Sequence, residues 1–399
     1  MEVPQVSGRM GRWLVPQPEP DGVTMYDVIV IGLGGMGSAA AFHLARRGLK
    51  VLGLEQFTPA HDRGSSHGES RIIRQAYYEG AEYVPLILRA YELWEELEKE
   101  SGRNLLTLKG AMMVGPRDSG LVSGSLRSAE EHGLPYELLE ARELRRRFPA
   151  FNPTPGAVAL FEKRGGSVHP EASINAHLDL AARHGAELRF EEAVLSWEAS
   201  PDKVRVESPK GSYEAEKLVI APGAWAPQLL QGLGLPLKVE RRVMFWFEPK
   251  ESPELFSFER FPVFMWEPDD GRVFYGIPDG SGLVKTSFHH VEGASCTPET
   301  LDREVREEEI QLIRDRLGEC VPALAGRCVR AVACMYTNTP DLHFVISSHP
   351  DYPQVAIAAG FSGHGYKFCS AVGEVLADLA SHGETRHPID LFSPARLKA

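Results

Sequence analysis

Apolar positions follow two rhythms along the chain. Residues 28–31, 51–54, 218–221 and 354–359 are short, nearly unbroken apolar runs, as strands buried on both faces would be. Elsewhere apolar residues recur every three or four positions. That spacing predicts helices over 38–47, 85–100, 141–148, 170–184, 298–317 and 369–382. Gly48, Gly102 and Gly185 stand where three of these helices end, and Pro170 suits a first turn. Between 236 and 295 the pattern turns to strands. Residues 243–247 are dense in aromatic side chains. Residues 263–266 and 272–275 flank Asp270-Gly271 as a hairpin would. Residues 283–290 form a further strand, on which Lys285, Ser287 and His289 share one face. That face looks either to solvent or into a cavity. Residues 329–345 mix strand and turn signals.

One stretch gives this pattern a chemistry. The first strand runs into Gly32, Gly34 and Gly37, spaced Gly-x-Gly-x-x-Gly, and an Ala-rich helix follows. The first glycine permits the tight turn, the second lets a pyrophosphate reach the backbone, and the third lets helix and strand pack closely. The open N–H groups of the helix start then face the phosphates. The second strand ends on Glu55, 21 residues after Gly34 (55 − 34), where an acid binds a ribose hydroxyl. The stretch predicts a Rossmann-type dinucleotide site and leaves FAD and NAD both open. A second strand–Gly loop–helix unit closes the chain at 354–382. The predicted fold class is therefore mixed α/β: a discontinuous nucleotide domain (25–105, 166–235 and 328–399) with an inserted β-rich substrate domain (106–165 and 236–327). Residues 1–24, rich in proline, read as a flexible extension.

Composition narrows the class. The chain has 399 residues, a formal net charge of −12 and 43% hydrophobic residues. An acidic chain without a basic block is a poor nucleic-acid or membrane-surface binder. Residues 1–24 lack a continuous apolar core for a signal peptide. The five cysteines are odd in number and include no Cys-x-x-Cys, so a reduced, cytoplasmic protein is expected. No nucleophile elbow, metal-ligand cluster or P-loop occurs. Redox chemistry on a dinucleotide is the leading reading.

Several further stretches sharpen it: GSSHGESRIIRQAY from 64, SGLVKTSFHH from 281, CMYTNTPDLHF from 334 and GFSGHGYKF from 360. With the fingerprint they resemble, in order, the monomeric sarcosine oxidase family, which includes sarcosine/pipecolate and N-methyltryptophan oxidases. The resemblance implies a D-amino-acid-oxidase-like flavoprotein. It would oxidise a small secondary amino acid with FAD and O2, yielding an imine that water hydrolyses, and H2O2. It also implies a monomer without nucleic-acid, membrane or metal partners.

Carried onto this chain, the resemblance gives Cys334 as the 8α-S-cysteinyl attachment point of FAD. Arg71 and Lys367 would clamp the substrate carboxylate, with Arg74 in support. Lys285 would stand near flavin N5 and stabilise superoxide. His289, Tyr275, Tyr336 and Met265 would line the substrate cavity. His67 and Ser70 would lie close to the flavin ring, and Gly363, His364 and Gly365 on its other side. Glu69-Ser70 replaces the Asp-Thr pair of the bacterial sarcosine oxidases. The wording around it is nearer the sarcosine/pipecolate type. Sarcosine leads as substrate, with pipecolate, proline or other N-alkyl amino acids, or a same-fold dehydrogenase using another acceptor, as alternatives.

Overall fold

The computed structural model describes residues 25–290 and 293–397. The first sheet is built on β1 (Met25–Ile31), followed by helix α1 (Gly35–Arg46) and β2 (Val51–Leu54). β1 and β2 pair in parallel, with Val28 opposite Val51 and Ile31 opposite Leu54. On its other side β1 pairs in parallel with Gly211–Ile220, whose last residues pair with Val355–Ala359. The four unbroken apolar runs are thus neighbouring strands. They are buried because both faces are covered. On one face α1 packs against the helices Pro170–Arg183 and Cys369–His382. A Cβ on Gly373 would stand only 2.4 Å from Cβ of Ala39, so small residues set how closely these helices meet. On the other face Ile29, Leu52 and Ile220 pack with Ala226 and Leu230.

The second sheet has eight strands, in the order Cys328–Asn338, Lys238–Phe247, Val284–Phe288, Phe274–Pro278, Val263–Trp266, Ala111–Pro116, Ala157–Glu162 and Glu137–Glu140. Its apolar core includes Phe245, Phe247, Phe261, Phe264 and Phe274, and is closed by Leu317 of the helix Glu307–Cys320. The predicted hairpin is present, with Met265 opposite Tyr275, but its second strand begins at Phe274 rather than at 272. A small third sheet, Arg71–Ile73 with Gly166–Val168 and Leu106–Thr107, lies apart from the two large ones.

Three sequence expectations change. The helix expected over 298–317 starts at Glu307, because Arg241 takes the carbonyls of Asp302 (2.7 Å) and Glu304 (2.6 Å) that a helix would use. Glu309 then caps the helix by accepting from the Arg306 N–H. Residues 328–338, grouped above with the nucleotide segments, form one long strand. It pairs with Lys238–Phe247 from Asn338 back to Cys328, in the second sheet. The strand 283–290 stops at Phe288, and its Lys285–Ser287 face is buried, not solvated. His289 lies just beyond the strand, its N–H bonded to Val273 O.

The extension 1–24 lies outside the described residues. Among the described residues no helix is long and apolar enough to cross a membrane, and all five cysteines are unpaired.

Candidate active site

The fingerprint glycines divide their work. A Cβ on Gly32 would meet Ala221 O at 2.6 Å, and one on Gly37 would meet Gly32 O at 1.7 Å. These two are held by the chain itself. A Cβ on Gly34 would find nothing nearer than Ser66 Oγ at 3.7 Å. The middle glycine therefore bares its backbone to a cavity of about 400 Å³. No side chain of Gly34 caps α1 and no acid sits in its first turn; the Gly35 N–H reaches only the Ser66 hydroxyl, at 3.4 Å, and the helix start faces the cavity without a negative charge of its own.

Glu55 lines the same cavity. Its carboxylate accepts from the N–H groups of Leu33 (2.9 Å) and Phe57 (3.1 Å), and His61 Nε2 stands at 3.2 Å. A carboxylate offers about four acceptor positions, so one remains for a hydroxyl. His61 carries no signal in the sequence.

The cavity runs from Glu55 past Gly34 and Trp225 to Tyr336, Gly363 and Tyr366. There a second cavity of about 50 Å³ joins it, with Arg71, Tyr336, Gly363 and Tyr366 on both walls. The second cavity collects Arg74, Met265, Tyr275, His289, Cys334, His364 and Lys367 from distant parts of the chain. Gly363 is required where it stands: φ is +76°, and a Cβ would lie 2.1 Å from the Tyr336 ring. Gly365 lines the larger cavity, and a Cβ there would overlap Phe361 at 2.5 Å.

His67, Ser70 and Lys285 stand behind the cavity walls. The Lys285 ammonium is fully buried and donates to the carbonyls of Gly68 (2.9 Å) and Ser70. Burial, and then the neighbouring Arg71, hold its pKa well below the ordinary lysine value. Ser70 acts through its backbone, since its carbonyl also accepts from Arg71 at 2.8 Å. Arg71 donates further to Ser65 O at 2.9 Å.

Arg74 is committed to Glu79, at 2.5 Å, and to Ala76 O at 2.7 Å. Burial would raise the Glu79 carboxyl, but Arg74, His364 and Lys367 outweigh it and hold the pKa down to about 2. The Lys367 ammonium donates to His364 O (2.8 Å) and Tyr77 OH (3.4 Å). Burial, and then Arg74, lower its pKa to about 7. Nε2 of His364 faces Leu342 O at 3.0 Å, and Nδ1 faces Tyr77 OH at 2.6 Å. A carbonyl only accepts, so Nε2 carries the hydrogen and Nδ1 accepts from Tyr77. Burial keeps this ring neutral, with a pKa lowered to about 3. Burial likewise keeps His289 neutral; its Nδ1 lies 3.3 Å from Tyr336 OH and its Nε2 is buried without a hydrogen-bond partner.

Cys334 is directly opposite Arg242 in the strand register. Burial pushes its thiol up, but His67 and Arg71 outweigh this and bring the pKa down to about 7. A substantial thiolate fraction is then present near neutral pH. His67 Nε2 is buried without a hydrogen-bond partner.

Sequence reasoning missed Glu79, Tyr77, Arg242 and Tyr366. Glu79, five residues after Arg74 and just past the motif that begins at Gly64, is the findable one. The others act through contacts that no local pattern carries.

These residues fit FAD. A bare glycine backbone and an acid lie at one end of a long cavity. A cysteine of lowered pKa and an imidazole with one unpartnered nitrogen lie at the other. Comparison with known proteins agrees, for the family described as FAD dependent oxidoreductase matches residues 27–379. The chain belongs to that family. Among FAD-dependent oxidoreductases it falls with the sarcosine oxidases. Monomeric sarcosine oxidase of Streptomyces avermitilis is 55% identical over 378 residues, which are 94% of this chain and 98% of that one. N-methyl-L-tryptophan oxidase of Yersinia pestis is 34% identical, covering 94% of this chain and all of its own. Among solved structures, NikD, described as an unusual amino acid oxidase essential for nikkomycin biosynthesis, superposes with a TM-score of 0.82 at 25% identity. That match covers 93% of this chain and 97% of NikD.

Proposed function

We propose that this FAD-dependent oxidoreductase oxidises sarcosine, with O2 and water, to glycine, formaldehyde and H2O2. The observation that carries the reading is the small cavity opening off the dinucleotide cavity. Cations stand on its walls, beside one neutral imidazole with a spare nitrogen. That set suits a small amino acid held by its carboxylate with its amine unprotonated.

When bound, a flavin would supply the two-electron redox chemistry between the N-methyl carbon and O2. The chain supplies everything that places the substrate. Arg71 and Lys367 offer a fork and a point charge to the carboxylate, and Arg74, held by Glu79, supports them with its charge. His289 and Tyr336, with Tyr275 and Met265, surround the amine end. His289 is neutral there, so it does not repel the amine and can accept its proton. Lys285 offers positive charge where oxygen is reduced. Cys334, with His67 beside it, is the thiolate that would form the thioether to the flavin. His364 and Gly365, on the cavity walls at the last Gly loop, would help hold the flavin ring. We read the protein as a cytoplasmic monomer. Residues 25–105, 166–235 and 339–399 would form its nucleotide domain, and the remaining described segments its substrate domain.

The test is H2O2 release from sarcosine, N-methylalanine, L-proline, L-pipecolate, glycine and N-methyltryptophan. Sarcosine is expected to give the highest kcat/KM. A preference for L-pipecolate or L-proline would move the substrate to the cyclic amino acids. Substrate-dependent flavin reduction without H2O2 would overturn the oxidase reading.

A further inference from the structure

Lys285 poses an electrostatic question. Its ammonium is completely buried, and its hydrogen bonds go to two carbonyls of the turn at 68–70, not to a carboxylate. Arg71 stands nearby with the same charge and adds to the cost. Some negative charge must offset this for the ammonium to persist.

The turn itself shows where that charge enters. Gly68 O and Glu69 N belong to one peptide group. Its carbonyl end accepts from Lys285 Nζ at 2.9 Å. Its N–H end donates to both carboxylate oxygens of Glu171, each at 3.1 Å. The preceding N–H, of Gly68, donates to the same carboxylate at 2.6 Å. A cation and an anion therefore face each other across a single peptide dipole, which is aligned with both.

The backbone is strained to make this possible. Gly68 has φ of +94° and Glu69 has φ of +70°. A non-glycine residue persists there only when its surroundings enforce it. A Cβ on Gly68 would also stand 2.7 Å from Met244 Cε. Glu69 points its own carboxylate outward, to Arg330 at 2.7 Å, and Arg330 lies over the Trp246 ring at 3.7 Å. The near-side anion is therefore Glu171, held in the first turn of the helix Pro170–Arg183.

We propose that Glu171 is a positioning residue for Lys285. Through the Gly68–Glu69 peptide it supplies the countercharge that keeps the ammonium buried at the place where O2 is reduced. The inference rests on the oxidase reading and on the part Lys285 plays in it. Glu171 touches neither substrate nor flavin in this scheme.

Glu171→Gln isolates the charge, because the amide oxygen still accepts from both N–H groups. In the holoenzyme this variant is expected to slow reoxidation by O2 about tenfold, while anaerobic reduction by sarcosine stays within about twofold. Amide exchange of residues 67–70 should remain as in wild type. In a Lys285→Met background the same change should add nothing, because the charge would then have no ammonium to act on. Unchanged reoxidation would overturn the proposal. So would equal loss in both half-reactions, faster exchange at 67–70, or a full additional loss on top of Lys285→Met. Should Glu171→Gln fail to accumulate, Glu171→Asp and Glu171→Asn give the same contrast. The proposal then requires the Asn variant to be the slower with O2, and equality overturns it. Failure of the oxidase reading itself would look different: no amine would yield H2O2, and Lys285→Met would leave reoxidation unchanged.

Discussion

Arg74 and Glu79 form an ion pair, 2.5 Å apart, on the wall of the small cavity that Lys367 also lines. Both are almost wholly withdrawn from solvent, so protonating the carboxylate leaves a buried guanidinium without its partner. The Glu79 pKa is about 2 when folded, against an ordinary value of 4.5. A depressed folded pKa contributes stability that is complete above the unfolded value and is lost as pH falls through the folded one. Between about pH 5 and pH 2 the protein should therefore lose on the order of 2–3 kcal/mol from this site. Glu79→Gln should flatten that part of a stability-against-pH curve measured by denaturant titration. An unchanged curve in the variant would show that the pair carries no such linkage.

Lys367 titrates in the opposite sense for binding. With a pKa of about 7, its ammonium is present below that pH and fades above it. Arg71 and Arg74 stay charged throughout, and Glu79 stays anionic. The affinity for acetate, a carboxylate with no amine to titrate, should weaken as pH rises from about 7 to 9. Lys367→Arg should make that affinity nearly flat across the range. Equilibrium titration of the flavin absorbance measures both.

The glycines of the fingerprint should respond differently to a side chain. Gly34→Val puts its methyl groups into the dinucleotide cavity. It should cut flavin content strongly while leaving far-UV circular dichroism intact. Gly37→Ala forces a Cβ to within 1.7 Å of Gly32 O and should reduce soluble yield as well. Equal flavin loading of the Gly34 variant and wild type would remove Gly34 from the pyrophosphate site.

Lys285→Met should slow flavin reoxidation by O2 by orders of magnitude, with anaerobic reduction largely kept. Stopped-flow measurement of the two half-reactions separates them. Equal loss in both would place Lys285 in substrate handling instead.

Acid precipitation tests Cys334. Yellow colour should stay with the wild-type pellet and pass to the supernatant in Cys334→Ser. Colour lost from the wild-type pellet would show a flavin that is not covalently held.

What the sequence made legible follows its local physics. The buried parallel strands announce themselves because both faces are apolar. The glycines of the dinucleotide turn are set by contacts within a few residues, so their spacing carries the function. The last helix, Cys369–His382, has the bounds that its periodicity predicts. Errors arose where a distant side chain decides the backbone. Arg241 takes two carbonyls and delays a helix to Glu307. The strand Cys328–Asn338 owes its place in the second sheet to a neighbour some ninety residues earlier, with which it pairs over its whole length. At the site, motif resemblance pointed to residues that line the cavities, such as Arg71, Cys334 and Lys367, and to His67, Ser70 and Lys285 behind their walls. Glu79, Tyr77 and Glu171 set the charge or hydrogen bonding of those residues from a neighbouring position. Such roles appear only once the chain is folded.

The strand carrying Cys334 belongs to the second sheet, whereas the glycine turn and Glu55 belong to the first. A flavin gripped by its nucleotide end and bonded at its ring end would therefore act as a strut between the two sheets. The two sheets would then share one melting transition, and the tether that serves the chemistry would also be the longest-range crosslink in the molecule.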